Sequence, residues 1–205
     1  MDMKRIEWVD IFKGICIILM ILGHAWAPFI TYIYLFHMPA FIFISGYTFS
    51  GDKYSLKDYL KRKVCTLLIP GLLVNVAYII FMTIADKINI YQFLFESNSM
   101  PLVDRFLMLF QHIALPELGG AMWFLVVLFE IEIIYMMLYK MLKKEKRLLY
   151  VCVALSLIGW KFIGKYEGAT SVIYRYLIDL SLFGLIFFAL GRVVCIGIVK
   201  KSVVI

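Results

Sequence analysis

The sequence predicts an all-α fold, a polytopic helical membrane protein with about six transmembrane helices. Two observations carry this. The chain has 205 residues, of which 63% are hydrophobic and only 17% charged, with mean hydropathy +0.91, a balance that excludes an ordinary soluble domain. Its formal charge of +7 comes from short basic clusters lying between apolar runs. That is how topology determinants are distributed, and it argues against a nucleic-acid surface. Cys16, Cys65, Cys152 and Cys195 stand singly in or beside apolar runs, so neither disulfides nor a metal site is expected. The whole chain, 1–205, reads as a single membrane domain.

Six apolar runs supply the spans. The first is Ile11–Ile30. Lys4, Arg5 and Ala25-Trp26-Ala27 imitate a cleaved signal, but Asp10 and Lys13 interrupt the run and Pro28 would follow the cut, so the segment is read as retained. The second, Tyr32–Phe49, is rich in aromatics and ends at the turn signal Ser50-Gly51-Asp52. The third is Val64–Ala85, and Pro70-Gly71 should bend or break its first turns. The fourth to sixth are Ala121–Leu142, the short Leu148–Ile163, and Tyr174–Val199. Between the third and fourth, 86–120 is a long loop in which Leu102–Leu115 is amphipathic and bracketed by Pro101 and Pro116.

Lys and Arg set the expected orientation. One connection holds Lys53, Lys57, Lys61, Arg62 and Lys63, and another holds Lys140, Lys143, Lys144, Lys146 and Arg147. With an even number of spans, both connections share the cytoplasmic side with both termini, which leaves 86–120 extracytoplasmic. The expected location is the cell membrane, with lipid as a partner and no nucleic acid.

Ionisable residues inside such spans are costly and are default site candidates. In the first span, Lys13 and His24 are eleven residues apart, close to three helical turns, so they share a face about 16 Å apart. Asp10 lies one turn before Lys13, and the two also fit an ion pair at a helix end. His24 falls toward the outer half of the bilayer, where a neutral imidazole suits proton transfer or, alternatively, a bond to a helix carbonyl. His37 begins the next span after a short turn and would face His24 across a helical hairpin. Ser45-Gly46-Tyr47 fits helix packing. Arg62 and Lys63 fit either a membrane anchor or a phosphate site. Glu130, mid-span and near Trp123 and Glu132, should be protonated or paired. Asn75, Asp179 and Arg192 are further polar residues within spans, and Asp179 can pair with Arg175 one turn away.

The order Asp10-Ile11-Phe12-Lys13-Gly14, His24, Phe36-His37-Met38-Pro39, Ser45-Gly46-Tyr47, a basic stretch running into Pro70, then Trp123-Phe124-Leu125 resembles the acyltransferase type 3 family of integral membrane O-acyltransferases, particularly its fucose-4-O-acetylase-like branch. The resemblance implies transfer of an acyl group, usually acetyl from acetyl-CoA, to a sugar hydroxyl of a surface polysaccharide or lipid-linked glycan. His24 is then the catalytic base, Asp10 joins it in the expected catalytic set although it lies about 21 Å earlier along the helix, and Lys13, Arg62 and Lys63 meet the acyl donor. His37, Ser45, Gly46, Tyr47, Trp123 and Glu130 take family-pattern or pocket positions. Acetyl-CoA enters as a substrate, and no bound cofactor or metal is expected. The chain departs from the family in two ways: Cys65 stands where a second arginine commonly follows Arg62, and the family domain has more helices than this chain offers. The ending Val203-Val204-Ile205, soon after Lys200-Lys201, reads as an interrupted protein. Two other readings fit the polar spans: a glycan transporter or export partner without acyl transfer, and an inactive remnant.

Overall fold

The structure, a computed structural model, describes residues 7–24, 29–88, 101–104, 106, 123–162 and 173–203. Within these residues the chain is helical and has no strands. The helices are α1 (Glu7–His24), α2 (Ile30–Tyr47), α3 (Leu56–Lys63), α4 (Ile69–Lys87), α5 (Trp123–Leu142), α6 (Glu145–Phe162) and α7 (Ile173–Val203). It is an all-α helical membrane protein. Three stretches, Ile30–Tyr47, Leu56–Lys87 and Ile178–Ile198, are long and apolar enough to cross a membrane. The other long helices each carry charge: Glu7, Asp10 and Lys13 in α1, Glu130, Glu132 and Lys140 in α5, and Glu145, Lys146, Arg147 and Lys161 in α6. Most of the expected loop 86–120 lies outside the described residues. Leu102–Leu115 does too, except for a helical turn at Leu102–Asp104 and Phe106.

α7 is the hub, packing on α2, α5 and α6, while α1 leans on α2. Glycines allow the closest approach. A Cβ at Gly46 would run into the Phe188 carbonyl, and one at Gly191 into the Phe43 carbonyl. The α2–α7 contact is therefore a small-residue seam of the membrane type. At its centre Tyr135, Phe188, Ile131 and Leu185 are almost completely buried. The outward faces of α1 and α4 are apolar as well: Ile11, Ile15, Ile18, Leu73, Ile80 and Phe81 are all exposed. A continuous face of this kind is costly in water and is satisfied by hydrocarbon.

Two local features differ from the sequence expectation. The basic stretch after α2 is not a loop but helix α3. Ser55 caps it, accepting from the Asp58 amide at 3.1 Å, with the Asp58 carboxylate held by the Ser55 hydroxyl at 2.6 Å. This Ser-x-x-Asp arrangement is a capping-box start. α3 then runs into α4 through a π-helical turn at Val64–Leu68. Pro70 explains that turn, because its ring has no N–H and crowds the carbonyl one turn back, so the backbone widens before α4 can begin. Between α5 and α6, Lys143 takes a positive φ of 52°, and its amide donates to the Tyr139 carbonyl at 3.2 Å. That left-handed residue ends α5 and reverses the chain.

Candidate active site

α1 turns a single stripe toward the bundle. Val9, Cys16 and Gly23 are buried, Lys13 and Met20 half-buried. These positions step by three and four residues, the spacing of one helical face. His24 completes the stripe at its far end. Next to it, Gly23 lets α2 approach closely: a Cβ there would meet the Tyr34 ring at 3.2 Å.

His24, Tyr34 and His37 form one layer across the α1–α2 hairpin. The Tyr34 ring lies 5.8 Å from His24 and 5.5 Å from His37, centroid to centroid. The roles of Nδ1 follow from the partners. His37 Nδ1 is 2.7 Å from the Ile33 carbonyl oxygen. A carbonyl only accepts, so Nδ1 carries a proton and donates, and Nε2 has no hydrogen-bond partner among the described residues. Tyr34 donates its single hydroxyl proton to the Gly23 carbonyl at 3.1 Å. The 3.4 Å contact with His24 Nδ1 is therefore one in which His24 donates, and its Nε2 likewise has no hydrogen-bond partner among the described residues. His37 is only 4% exposed, whereas His24 is open.

Both imidazoles line a cavity of about 640 Å³. Its opposite wall comes from Trp123, Phe124 and Val127 of α5 and Leu180, Phe183 and Phe187 of α7. That volume is typical of a small-molecule site.

A second polar cluster forms where the π-turn meets the middle of α5. Lys63 Nζ lies 2.5 Å from Glu132 Oε2, with the two side chains 22% and 4% exposed. Tyr59 donates to the same oxygen at 3.4 Å, and the Lys63 ammonium lies over the Tyr59 ring. Lys13 is near enough to attract Glu132 electrostatically. The cluster thus sets two cations against one buried carboxylate.

The acyltransferase domain family matches residues 6–199. The chain belongs to the acyltransferase type 3 family. Neither the curated proteins nor the solved structures gave a significant match.

In this acyltransferase the expected site residues separate into groups. His24, His37 and Trp123 share the cavity. Lys63 pairs with Glu132 instead, and Lys13 lies within electrostatic range of the same carboxylate. Asp10, grouped with His24 in the expected catalytic set, is exposed toward the start of α1, about 21 Å from His24 by helical rise as the sequence spacing requires. Arg62 is exposed on α3 and donates to the Tyr54 hydroxyl at 2.7 Å. The other expected pocket positions do not line the cavity. Ser45 donates to the Phe41 carbonyl one turn back at 2.9 Å. Tyr47 stacks edge-on with Trp8, tying the start of α1 to the end of α2. Glu130 accepts from Ser181 at 2.8 Å, an α5–α7 bond. The physical reason is one of facing: Tyr47 and Glu130 meet neighbouring helices and Ser45 bonds within its own, while the cavity opens from the wall that carries His37.

Asn75 donates to the Gly71 carbonyl at 3.0 Å, within its own helix. Arg192 donates to the Phe49 carbonyl at 3.0 Å and lies 3.7 Å from Glu145, fastening α7 to the α5–α6 turn. The Arg175 side chain lies outside the described residues, and with it the Asp179–Arg175 pairing.

Two residues carry more than the sequence reading gave them. Tyr34 sits one turn before His37, a spacing that places both on one face. Glu132, two residues beyond Glu130, is the buried carboxylate that meets the lysines. No short-range sequence signal separates the two glutamates.

Proposed function

We propose that this chain is a membrane O-acyltransferase of the fucose-4-O-acetylase-like branch. In this reading it moves an acyl group, acetyl from acetyl-CoA in the simplest case, to a sugar hydroxyl of a surface polysaccharide or lipid-linked glycan. The observation that supports the reading is the pair of imidazoles lining one cavity, each with Nδ1 in a hydrogen bond and with no Nε2 partner among the described residues. A general base needs a free lone pair at neutral pH.

In the proposed reaction His24 Nε2 takes the proton from the acceptor hydroxyl as its oxygen attacks the thioester carbonyl. The tetrahedral adduct collapses, the carbon–sulfur bond breaks, and the departing thiolate takes the proton back from the His24 imidazolium. Tyr34 holds the ring through Nδ1, and His37 is a second acceptor in the same cavity. Lys13 and Lys63, with Arg62 on the outer face of α3, supply positive charge for the phosphates of the donor. The distribution of Lys and Arg supports a multi-pass protein of the cell membrane with both termini cytoplasmic. In that orientation the lysine cluster lies toward the cytosol, where acetyl-CoA is, and the cavity lies toward the outside.

The test is His24→Ala in the purified full chain, read as acceptor-dependent CoA release from acetyl-CoA. Loss of a general base costs about 10²–10⁴-fold in rate. A variant that releases CoA at the wild-type rate removes His24 from the chemistry.

A further inference from the structure

The walls of the two-histidine cavity differ in chemistry. Its imidazole and phenol groups, His24, Tyr34 and His37, all belong to the α1–α2 hairpin. The residues that α5 and α7 contribute are hydrocarbon or aromatic, including Val127, Leu180 and Phe183, with the Trp123 indole N–H as their one polar group among the described lining residues. No charged side chain is among the described lining residues. A sugar drawn fully inside would leave most of its hydroxyls unbonded against hydrocarbon and aromatic surface, at a cost for each. A flexible hydrocarbon chain would bury its surface there favourably.

We propose that this cavity holds the hydrocarbon chain of the transferred acyl group, and that the preferred donor carries a chain longer than acetyl. The inference rests on the acyl-transfer reading above and names its substrate class. Three observations favour it. First, a volume of about 640 Å³ corresponds to on the order of twenty water-sized groups, and an acetyl group fills only a corner of it. Second, the two imidazoles stand on one wall, so a molecule filling the cavity places its reacting carbon at that wall and its chain against α5 and α7. An acyl thioester has this order of groups, with the carbonyl directly next to the hydrocarbon. Third, a lipid-linked sugar has phosphate between its hydrocarbon and its hydroxyls. That phosphate would sit inside the cavity without a cation, because no charged side chain is among its described lining residues. The acceptor hydroxyl then meets the acyl carbon at the mouth, where His24 is exposed.

The experiment measures binding of acetyl-CoA, octanoyl-CoA, free CoA and decyl phosphate to the full chain in lipid nanodiscs. Each fully buried methylene tightens binding about fourfold, so even partial burial of the chain predicts octanoyl-CoA at least about tenfold tighter than acetyl-CoA. Val127→Phe narrows the apolar wall and is expected to bring that ratio below about threefold. Leu180→Phe, at a half-buried position of the same wall, is read in its place should Val127→Phe not fold. Equal binding of the two thioesters by the wild type overturns the chain-length assignment and leaves the acyl-transfer reading standing. An octanoyl preference that survives the filled wall also overturns it. Decyl phosphate displacing octanoyl-CoA with higher affinity assigns the cavity to a lipid tail and overturns it as well. Absence of binding by either thioester and by CoA removes the donor itself, and the acyl-transfer reading fails with it.

Discussion

The Lys63–Glu132 pair gives the sharpest energetic test of the packing. Glu132 is 4% exposed and Lys63 22% exposed, at 2.5 Å separation. Removing one partner of a buried pair leaves an uncompensated charge, at about 3–5 kcal/mol, whereas replacing both with apolar residues is often close to neutral. Lys63→Met should fall at the low end, about 3 kcal/mol, because Lys13 remains within electrostatic range of the carboxylate and takes up part of the loss. Glu132→Met strands two ammonium groups but leaves Lys63 its route to solvent, so about 2–3 kcal/mol is expected. The double variant should recover most of the loss, which gives a coupling energy of about 2 kcal/mol or more. Reversible unfolding of the purified protein in mixed detergent, followed by tryptophan fluorescence, measures all four corners of the cycle. Single-variant losses under about 0.5 kcal/mol, the range of an exposed pair, would refute the claim that this ion pair is buried and coupled.

Three further outcomes follow from particular contacts. Lys143→Gly should stabilise the protein by about 1 kcal/mol, because glycine adopts the left-handed conformation of the α5–α6 turn without a Cβ penalty; a lower midpoint in the same unfolding assay contradicts that turn. Gly46→Ala should destabilise by about 1–3 kcal/mol through overpacking of the α2–α7 seam, and a midpoint equal to wild type would mean that the seam is not closed. Tyr34→Phe keeps the ring between the imidazoles but removes the acceptor of the His24 Nδ1 proton, so the rate should fall about tenfold with KM little changed. A change confined to KM would place Tyr34 in binding rather than in positioning His24.

Much of this fold was legible because hydrocarbon-length apolar runs give a strong signal. The six expected runs each fall on a helix, α1, α2, α4, α5, α6 and α7, but among the described residues only three stretches are long and apolar enough to cross a membrane, because charges interrupt α1, α5 and α6. The ends moved for local reasons: α6 begins at Glu145 because a charged first turn is still helical, and α4 begins after a π-turn that Pro70 forces. α3 was missed although Ser55 and Asp58 announce it, because Lys57, Lys61, Arg62 and Lys63 make the stretch look like a solvated loop. Only Tyr59 is buried on it, too little apolar content for a periodic pattern to stand out. At the site, the Lys13–His24 stripe and the facing of His37 toward His24 followed from helical geometry alone. The partition of the glutamates did not, since residues two apart on a helix point in different directions, and which direction meets a lysine depends on how distant elements pack.

The two polar zones on α1 constrain what can pass between them. Lys13 and His24 are about 16 Å apart along the helix. The stripe residues separating them, Cys16 and Met20, offer no strong hydrogen-bonding group. A glycan moving along this face would have to shed its water against apolar side chains, which argues against a sugar conduit there. A slender arm anchored by its charged end at Lys13 and Lys63, as the proposed reading has it, would bring fewer polar groups along this face. A nucleotide-bearing thioester has that construction, with charge at one end, a long uncharged linker, and the reactive carbonyl at the other. The separation that keeps the lysine cluster out of the cavity is therefore what a donor of this shape requires. On the proposed reading it also accounts for basic and imidazole groups, both costly at membrane depth, standing about three turns apart on one helix.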